Sequence, residues 1–383
     1  MSCNQNIPVI VISSVRPEPT SAGQLLLHRH LQNQPGIICE SFGCEPSRLT
    51  ASSAVRRVVR RLAQTRLHRF AHDFWCWRDG RWLDNSLPKA VPAGDQVVVL
   101  TAAQGDACRA ARRFAQKHRL PLVTFFHDWW PDMDLIHSPF RKLLEKRFRE
   151  LYRQSQLAFC VSEKMRALLG PHHNSQVLYP IPAKANPLLP LKALHYHFRV
   201  LYSGNLYEYG PILAEALKAL KHHPQIRLEV RGGNPQWPQA LRQEMQREGL
   251  WHDYVPPAEA AEWLGAANAF LVPMVFEPAM RRRMETSFPS KMPEMAQFGK
   301  PLIIWGPEYC SAVKWARQGN RALCLTDPNP TALRQTLEKL VASPDEQHRL
   351  AVAARQAAQT DFNPDRIQAQ FMDALRSVTK FAD

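Results

Sequence analysis

The stretch TSFPSKMPEMAQFGKP, Thr286–Pro301, sets a hydroxyl, an ammonium and a carboxylate at Ser290, Lys291 and Glu294, within about one helical turn. It lies between two short apolar runs, AFLVPM at Ala269–Met274 and PLIIWG at Pro301–Gly306. Runs of that length closed by Gly or Pro read as buried parallel strands. The spacing predicts a helix over Lys291–Phe298, ended by Gly299 in a left-handed cap and blocked by Pro301. A helix start at the carboxyl end of a strand is where open α/β sheets bind ligands, and its N–H groups favour phosphate. Lys291 brings a charge suited to that phosphate, and Glu294 can accept from the paired hydroxyls of a ribose. The competing reading is an ordinary capped strand–helix–strand unit.

Four other places carry chemistry. FFHDWWPDMD, Phe125–Asp134, follows a strand directly, so His127 and Asp128 are expected at its carboxyl end. His127 can donate to a sugar hydroxyl and Asp128 can orient it, while Trp129 and Trp130 offer faces for a sugar ring. The loop after the first strand, Ser13–Leu31, has Thr20 or Ser21 as a helix cap and Gly23 where a ligand would approach. RVLYSGNLYEYGPI, Arg199–Ile212, places Ser203, Gly204 and Asn205 where backbone can approach a phosphate, and RGGN at Arg231–Asn234 ends a further strand. No G-x-G-x-x-G fingerprint occurs, so a nicotinamide cofactor gains no support.

The Thr286–Pro301 segment resembles the donor-site helix of GT-B glycosyltransferases, close to glycosyltransferase family 4, in which a Glu before a helix ending in GKP holds the nucleotide ribose. Glu294 matches the second Glu of that family's E-x7-E motif; Thr286 stands where the first is expected, with Glu285 one position off. The resemblance implies two Rossmann-like domains facing a cleft, and sugar transfer from a nucleoside-diphosphate sugar, with retention and with neither metal nor cofactor. It implies donor contacts at Gly23, Ser203, Gly204, Asn205, Arg231, Ser290, Lys291 and Glu294, and places His127 near the transferred sugar. The family's Arg and Lys after the glycine are replaced here by Asn205 and Tyr209. Lys291 and the Arg281–Arg283 run, read as a loop, are the substitutes by charge. A nucleotide-sugar epimerase of the same fold and a non-catalytic nucleotide- or nucleic-acid-binding protein are the alternatives.

The elements needed to position these groups come in two sets. At 383 residues, 45% hydrophobic and 22% charged, the chain suits two globular domains. Apolar runs at Pro8–Ser14, Gly36–Ser41, Val97–Ala102, Leu122–Asp128 and Leu157–Ser162 alternate with helical patterns such as Ala107–His118 and Pro139–Gln154. Runs at Arg199–Asn205, Ile226–Gly232, Ala269–Met274, Pro301–Gly306 and Ala322–Asp327 alternate with Pro211–His222, Pro257–Ala267 and Pro330–Ala342. That alternation predicts an α/β fold with parallel sheets. The Pro-rich Tyr179–His197 reads as the linker, giving an N-terminal domain over 1–182, a donor domain over 196–363, and a last helix in 364–383 placed to pack back on the first domain.

Eight scattered Cys without a C-x-x-C pair fit a reduced cytoplasmic protein, with Cys160 and Cys324 expected in buried strands. No leader is read before the first strand, and no run reaches the ~18 apolar residues that span a bilayer. No metal site is expected: the His pairs lack carboxylate or Cys at ligand spacing, and DMD at Asp132–Asp134 stands in the wrong fold context for a metal-dependent transferase. The net charge of +15 calls for an anionic partner. Ser53–Trp77 reads as one basic amphipathic helix, its Arg56, Arg57, Arg60 and Arg61 followed by Trp75 and Trp77. That pattern suits the inner face of an anionic membrane and a lipid-linked acceptor, against the plainer reading of a solvated basic face. No nucleic-acid-binding signature is present.

Overall fold

The computed structural model of the chain describes residues 6–19, 22–32, 34, 36–43, 54–91, 97–132, 136–183, 197–233 and 235–379. It divides into two compact units: Met1–Tyr179 with Ile367–Asp383, and Pro180–Arg366. The middle of the Pro-rich linker (184–196) and the Thr20 and Ser21 cap lie outside the described residues.

Unit 1 is built on β1 (Ile7–Ser13), β2 (Ile37–Gly43), β3 (Val98–Ala102), β4 (Leu122–Phe126), β5 (Leu157–Cys160) and β6 (Ser175–Val177). They form one parallel sheet in the order β2-β1-β3-β4-β5-β6. Its helices are α1 (Ala22–Leu31), α2 (Ala54–Ala63), α3 (His68–Arg78), α4 (Ala107–His118), α5 (Ser138–Gln154) and α6 (Glu163–Leu169). Both faces of the sheet are covered. Phe125 meets His30 of α1 on one face, and its neighbour Phe126 meets Phe148 and Tyr152 of α5 on the other. This is why β3 and β4 are near-continuous apolar runs, broken only by Thr101 and Thr124, with every residue buried.

Unit 2 repeats the plan with β7 (Phe198–Ser203), β8 (Ile226–Arg231), β9 (Trp251–His252), β10 (Ala269–Pro273), β11 (Leu302–Trp305) and β12 (Leu323–Leu325), ordered β12-β11-β10-β7-β8-β9. Its helices are α7 (Leu206–Leu220), α8 (Gln239–Arg247), α9 (Pro257–Gly265), α10 (Arg281–Thr286), α11 (Lys291–Ala296), α12 (Ser311–Arg317), α13 (Pro330–Val341) and α14 (Pro344–Gln359). A final helix, α15 (Pro364–Thr379), packs in unit 1: Phe371 lies on Phe125 and Phe159, and Gln370 donates to the Val177 carbonyl.

Several expectations need correction. Ser53–Trp77 is not one helix; a turn separates α2 from α3, closed by Thr65, whose hydroxyl donates to the Leu62 carbonyl and accepts from the Leu67 N–H. Trp129 is buried against Phe148 with Arg149 over its ring, so it is core and no sugar platform. Helix α7 begins five residues earlier than expected because Asn205, not Pro211, starts it; Pro211 is tolerated inside. Arg281–Arg283 is the start of a helix, not a loop. Cys324 is only half-buried, since β12 is an edge strand, whereas Cys160 is fully buried.

The docking of α15 contains a buried titratable group. His30 has no exposure, its Nδ1 pairs with Gln368 Oε1 of α15 at 2.9 Å, and its ring lies 4.6 Å from that of Phe371. Burial lowers its pKa to about 4 from 6.5, with the Gln368 bond working the other way. The unfolded chain therefore takes up the proton first. This group's contribution to stability is fully present above about pH 6.5 and is lost as pH falls towards 4, by on the order of 3 kcal/mol. Urea melts at pH 7 and pH 4.5 should show that drop in wild type and a flatter dependence in His30→Leu. Equal pH slopes in both proteins would show that His30 is not the group responsible.

Candidate donor-binding site

Strand order decides where each sheet is open. In unit 2 the chain runs outward from β7 to β9 and returns to lay β10 beside β7, so the connections leaving β7 and β10 diverge at their carboxyl ends. A crevice outside such a switch point is the usual ligand position in open α/β sheets. Ser203, Gly204 and Asn205 occupy the first connection; Thr286, Ser290, Lys291 and Glu294 occupy the second.

The first connection is drawn tight by glycine. Gly204 N–H donates to the Arg231 carbonyl at 3.0 Å. A Cβ on Gly232 would sit 2.1 Å from the Gly204 carbonyl oxygen, so no side chain fits there. The Tyr202 hydroxyl, buried and donating to the Asn205 carbonyl at 2.9 Å, locks the turn from beneath; burial pushes its pKa well up. Asn205 then caps α7, its side chain accepting from the Tyr207 N–H at 2.8 Å. Fifteen residues of helix thus begin at the switch point with their amide dipoles aligned towards it. Tyr209, where the resemblance called for a cation, lies edge-on to Tyr202.

The second connection supplies the charges. Helix α11 spans Lys291–Ala296, shorter than expected, and Gly299 (φ 61) makes the left-handed turn that ends the segment. With six residues its own dipole is weak, so its chemistry rests on side chains. Lys291 Nζ and Glu294 Oε2 are 2.9 Å apart, giving a cation and a carboxylate on adjacent positions of one face. Ser290 precedes the helix and makes no side-chain cap. Thr286 is buried, its hydroxyl donating to the Arg282 carbonyl, so it serves α10 internally instead of replacing a carboxylate. Glu285 pairs with Arg281 at 3.0 Å, and Arg281 also covers the Tyr309 ring. Arg283 reaches across to Glu208 in the first turn of α7 at 2.6 Å. That ion pair brings the two connections together, and nothing in residue type or spacing marks it.

Arg231 continues the surface at the end of β8: it donates to the Asp253 carbonyl at 3.3 Å and lies 4.9 Å from the centre of the Trp263 ring. Beneath it sits Glu229, which accepts from both Arg199 (2.8 Å) and Trp263 (3.0 Å) and lies 3.5 Å from His252. Burial alone would raise the Glu229 carboxyl, but hydrogen bonds from His252 and Arg199 and the Arg199 charge outweigh it and hold it well below the usual carboxylate range.

Unit 1 has its own switch point, between β1 and β3. Ser13 Oγ stitches these exits together, accepting from the Val15 N–H at 3.0 Å and the Ala102 N–H at 3.3 Å. His127 follows β4 and pairs through Nε2 with Gln104 Oε1 at 2.8 Å, with Asp128 Oδ2 3.9 Å away. A Cβ on Gly23 would lie 3.6 Å from His127 Nε2, so the missing side chain leaves room beside the ring. The structure thus gathers Gly23, Gln104, His127 and Asp128. Gln104 and Ser13 escaped the sequence reading because neither residue type nor spacing marks them; they matter through strand order. Of the basic surface residues, Arg61 and Trp77 are exposed, and Arg56, Arg57, Arg60 and Trp75 lie within α2 and α3. Among the described residues, no group of three His, Cys, Asp or Glu is arranged to hold a metal ion, and no helix is long and apolar enough to cross a membrane.

These features meet known proteins at two levels. Among solved structures, HepE of Anabaena, determined with UDP and glucose, aligns with TM-score 0.63 and 16% identity over 97% of this chain and 100% of its own. Sucrose-phosphate synthase of Thermosynechococcus elongatus aligns with TM-score 0.62 and 14% identity over 97% and 99%. TarM of S. aureus aligns with TM-score 0.56 and 10% identity over 77% of this chain, which spans 58% of TarM's length. Likeness at these identities establishes the fold. No curated protein matches the sequence. Residues 27–179 match the family Glycosyltransferase Family 4, and residues 197–343 match Glycosyl transferases group 1. With one match on each unit and most of the chain covered, the chain belongs to the family 4 type of glycosyltransferases with the GT-B fold.

Proposed function

We propose that the chain moves a hexose from a nucleoside-diphosphate sugar to a hydroxyl-bearing acceptor, with retention at the anomeric carbon and without a metal or other cofactor, as a cytoplasmic protein that works at the inner face of a membrane on a lipid-linked acceptor. The observation that carries the donor half is the switch point of unit 2, where a glycine-tightened helix start and the Lys291–Glu294 pair are tied together by Arg283 and Glu208. Neighbours of this fold solved with UDP and with UDP-glucose support a nucleotide-sugar donor. In this reading Gly204 and the α7 start receive the diphosphate, Lys291 neutralises it as it leaves, Glu294 takes the ribose hydroxyls, and Arg231 lies beside the base. His127 and Asp128 orient the sugar and the incoming hydroxyl. Transfer with retention appears as an α-linked product by NMR from an α-linked donor, in buffer containing EDTA. Slow donor hydrolysis without acceptor separates a transferase from a binding protein, and a released epimeric nucleotide sugar would identify an epimerase.

Two sets of variants check the assignments. Glu294→Ala should weaken nucleoside-diphosphate binding by about 1.5–3 kcal/mol with little change in melting temperature, since a helix-surface pair contributes little to folding. Lys291→Ala should weaken the diphosphate far more than the parent nucleoside. Unchanged calorimetric affinity removes Glu294 from the site, and equal losses for both ligands remove Lys291 from the phosphate.

His127→Ala and Asp128→Ala should instead lower kcat, by on the order of 10²-fold, while leaving diphosphate affinity near wild type. A variant that turns over at the wild-type rate shows that its residue serves the fold of unit 1.

A further inference from the structure

Among the described residues, large apolar side chains that stand exposed are few, and half of the eight lie on one hairpin. Val58 of α2, Leu67 in the turn, and Phe70 and Trp77 of α3 are 50–62% exposed. Phe70, Phe74 and Trp77 fall at i, i+4 and i+7, one stripe along α3. Ala71 and Asp73, which flank the stripe on either side, are buried, and the Phe70 ring lies 4.8 Å from that of His137 while keeping more than half its surface exposed. Asp73 is fully occupied by His137, accepting its backbone N–H at 2.9 Å and meeting its Nδ1 at 2.5 Å, a clamp that fixes α3 to the start of α5. The stripe therefore sits on a helix that is fixed along one edge of the stripe, by Asp73 and His137.

Charge selects the occupant. Residues 54–78 contain seven Arg and one acid, the buried Asp73. Arg61, Arg66, Arg69 and Arg78 are exposed beside the apolar stripe. We infer that the α2–α3 hairpin is a membrane-docking face that inserts Leu67, Phe70 and Trp77 into the interface of an anionic bilayer while its arginines meet lipid phosphates. Exposed apolar side chains interleaved with arginine suit a headgroup boundary, where indole and phenyl rings are stable and guanidinium groups stay hydrated. A phosphodiester backbone would reward the arginines but leave Val58 and Leu67 in water. The inference deepens the proposed function by naming the surface that brings protein and acceptor together, and it rests on that reading for the acceptor's location but not for the donor chemistry.

The test is co-sedimentation of the full chain with vesicles of phosphatidylcholine alone or mixed with phosphatidylglycerol, with UDP affinity measured on the same preparations. Wild type should bind acidic vesicles at low salt, release as salt rises, and show tryptophan quenching by brominated acyl chains. The triple variant Arg61→Gln, Arg66→Gln, Arg69→Gln should partition on the order of a hundredfold less, about fivefold per arginine. Trp77→Phe should lose a large part of the quenching. UDP affinity should be unchanged in all of them, so a protein that binds vesicles and no nucleoside diphosphate overturns the donor reading alone. No binding to acidic vesicles at low salt, quenching unaltered in Trp77→Phe, or capture of duplex DNA in place of vesicles would overturn the docking face.

Discussion

A parallel sheet covered by helices on both faces has only its strand ends left for chemistry, and this constraint organises both halves of the chain. Every residue of β3, β4, β10 and β11 is buried, so no side chain within those strands can meet a ligand. What remains are the connections at the carboxyl ends, and strand order opens them most between β1 and β3 and between β7 and β10. His127, Gly23, Gly204, Lys291 and Glu294 are candidates because they fall on connections that leave the carboxyl ends of β4, β1, β7 and β10. Elsewhere in the fold the same residue types are ordinary, as the buried His30 in the core shows.

Electrostatics works on the same frame. In a chain with 49 Lys and Arg against 34 Asp and Glu, acids are scarce, and several are committed to internal pairs. Glu229 gathers Arg199, Arg227, His252 and Trp263 beneath the end of β8; Asp79 gathers Arg109, Arg113 and Arg147 beside α4. The surplus positive charge is left where acids are absent, most clearly on the α2–α3 hairpin. At the unit 2 switch point Lys291 is matched by Glu294, Arg283 by Glu208 and Arg281 by Glu285. On the proposed function, a phosphate at this point competes with Glu294 and Glu208 for cations already in position.

Sequence patterning revealed the near-continuous apolar strands, because burial on both faces leaves few polar residues in them. It missed β6 and β9, edge strands of three and two residues too short to carry a pattern, and it passed over α8 and α14. Helix boundaries shifted where a cap lay outside the periodic run: Asn205 starts α7 well before Pro211. The amphipathic reading of Ser53–Trp77 failed at Thr65, whose hydroxyl offers the backbone a turn that propensity alone does not reveal. Candidate residues with charge or an imidazole could be named from residue type and spacing. Ser13, Gln104 and the Arg283–Glu208 pair could not, since each depends on which strand ends become neighbours.

The central claim is that unit 2 holds a nucleoside diphosphate at its switch point, and thermal denaturation in the presence of a panel of nucleosides, nucleoside monophosphates and nucleoside diphosphates tests it most directly. A ligand that binds only the folded state stabilises it by mass action, by about 2.7 kcal/mol at a hundred times its Kd. One base's diphosphate should raise the Tm by several degrees, its nucleoside should raise it far less, and Gly232→Ala should abolish the difference. No shift with any diphosphate, or equal shifts for diphosphate and nucleoside, would contradict it.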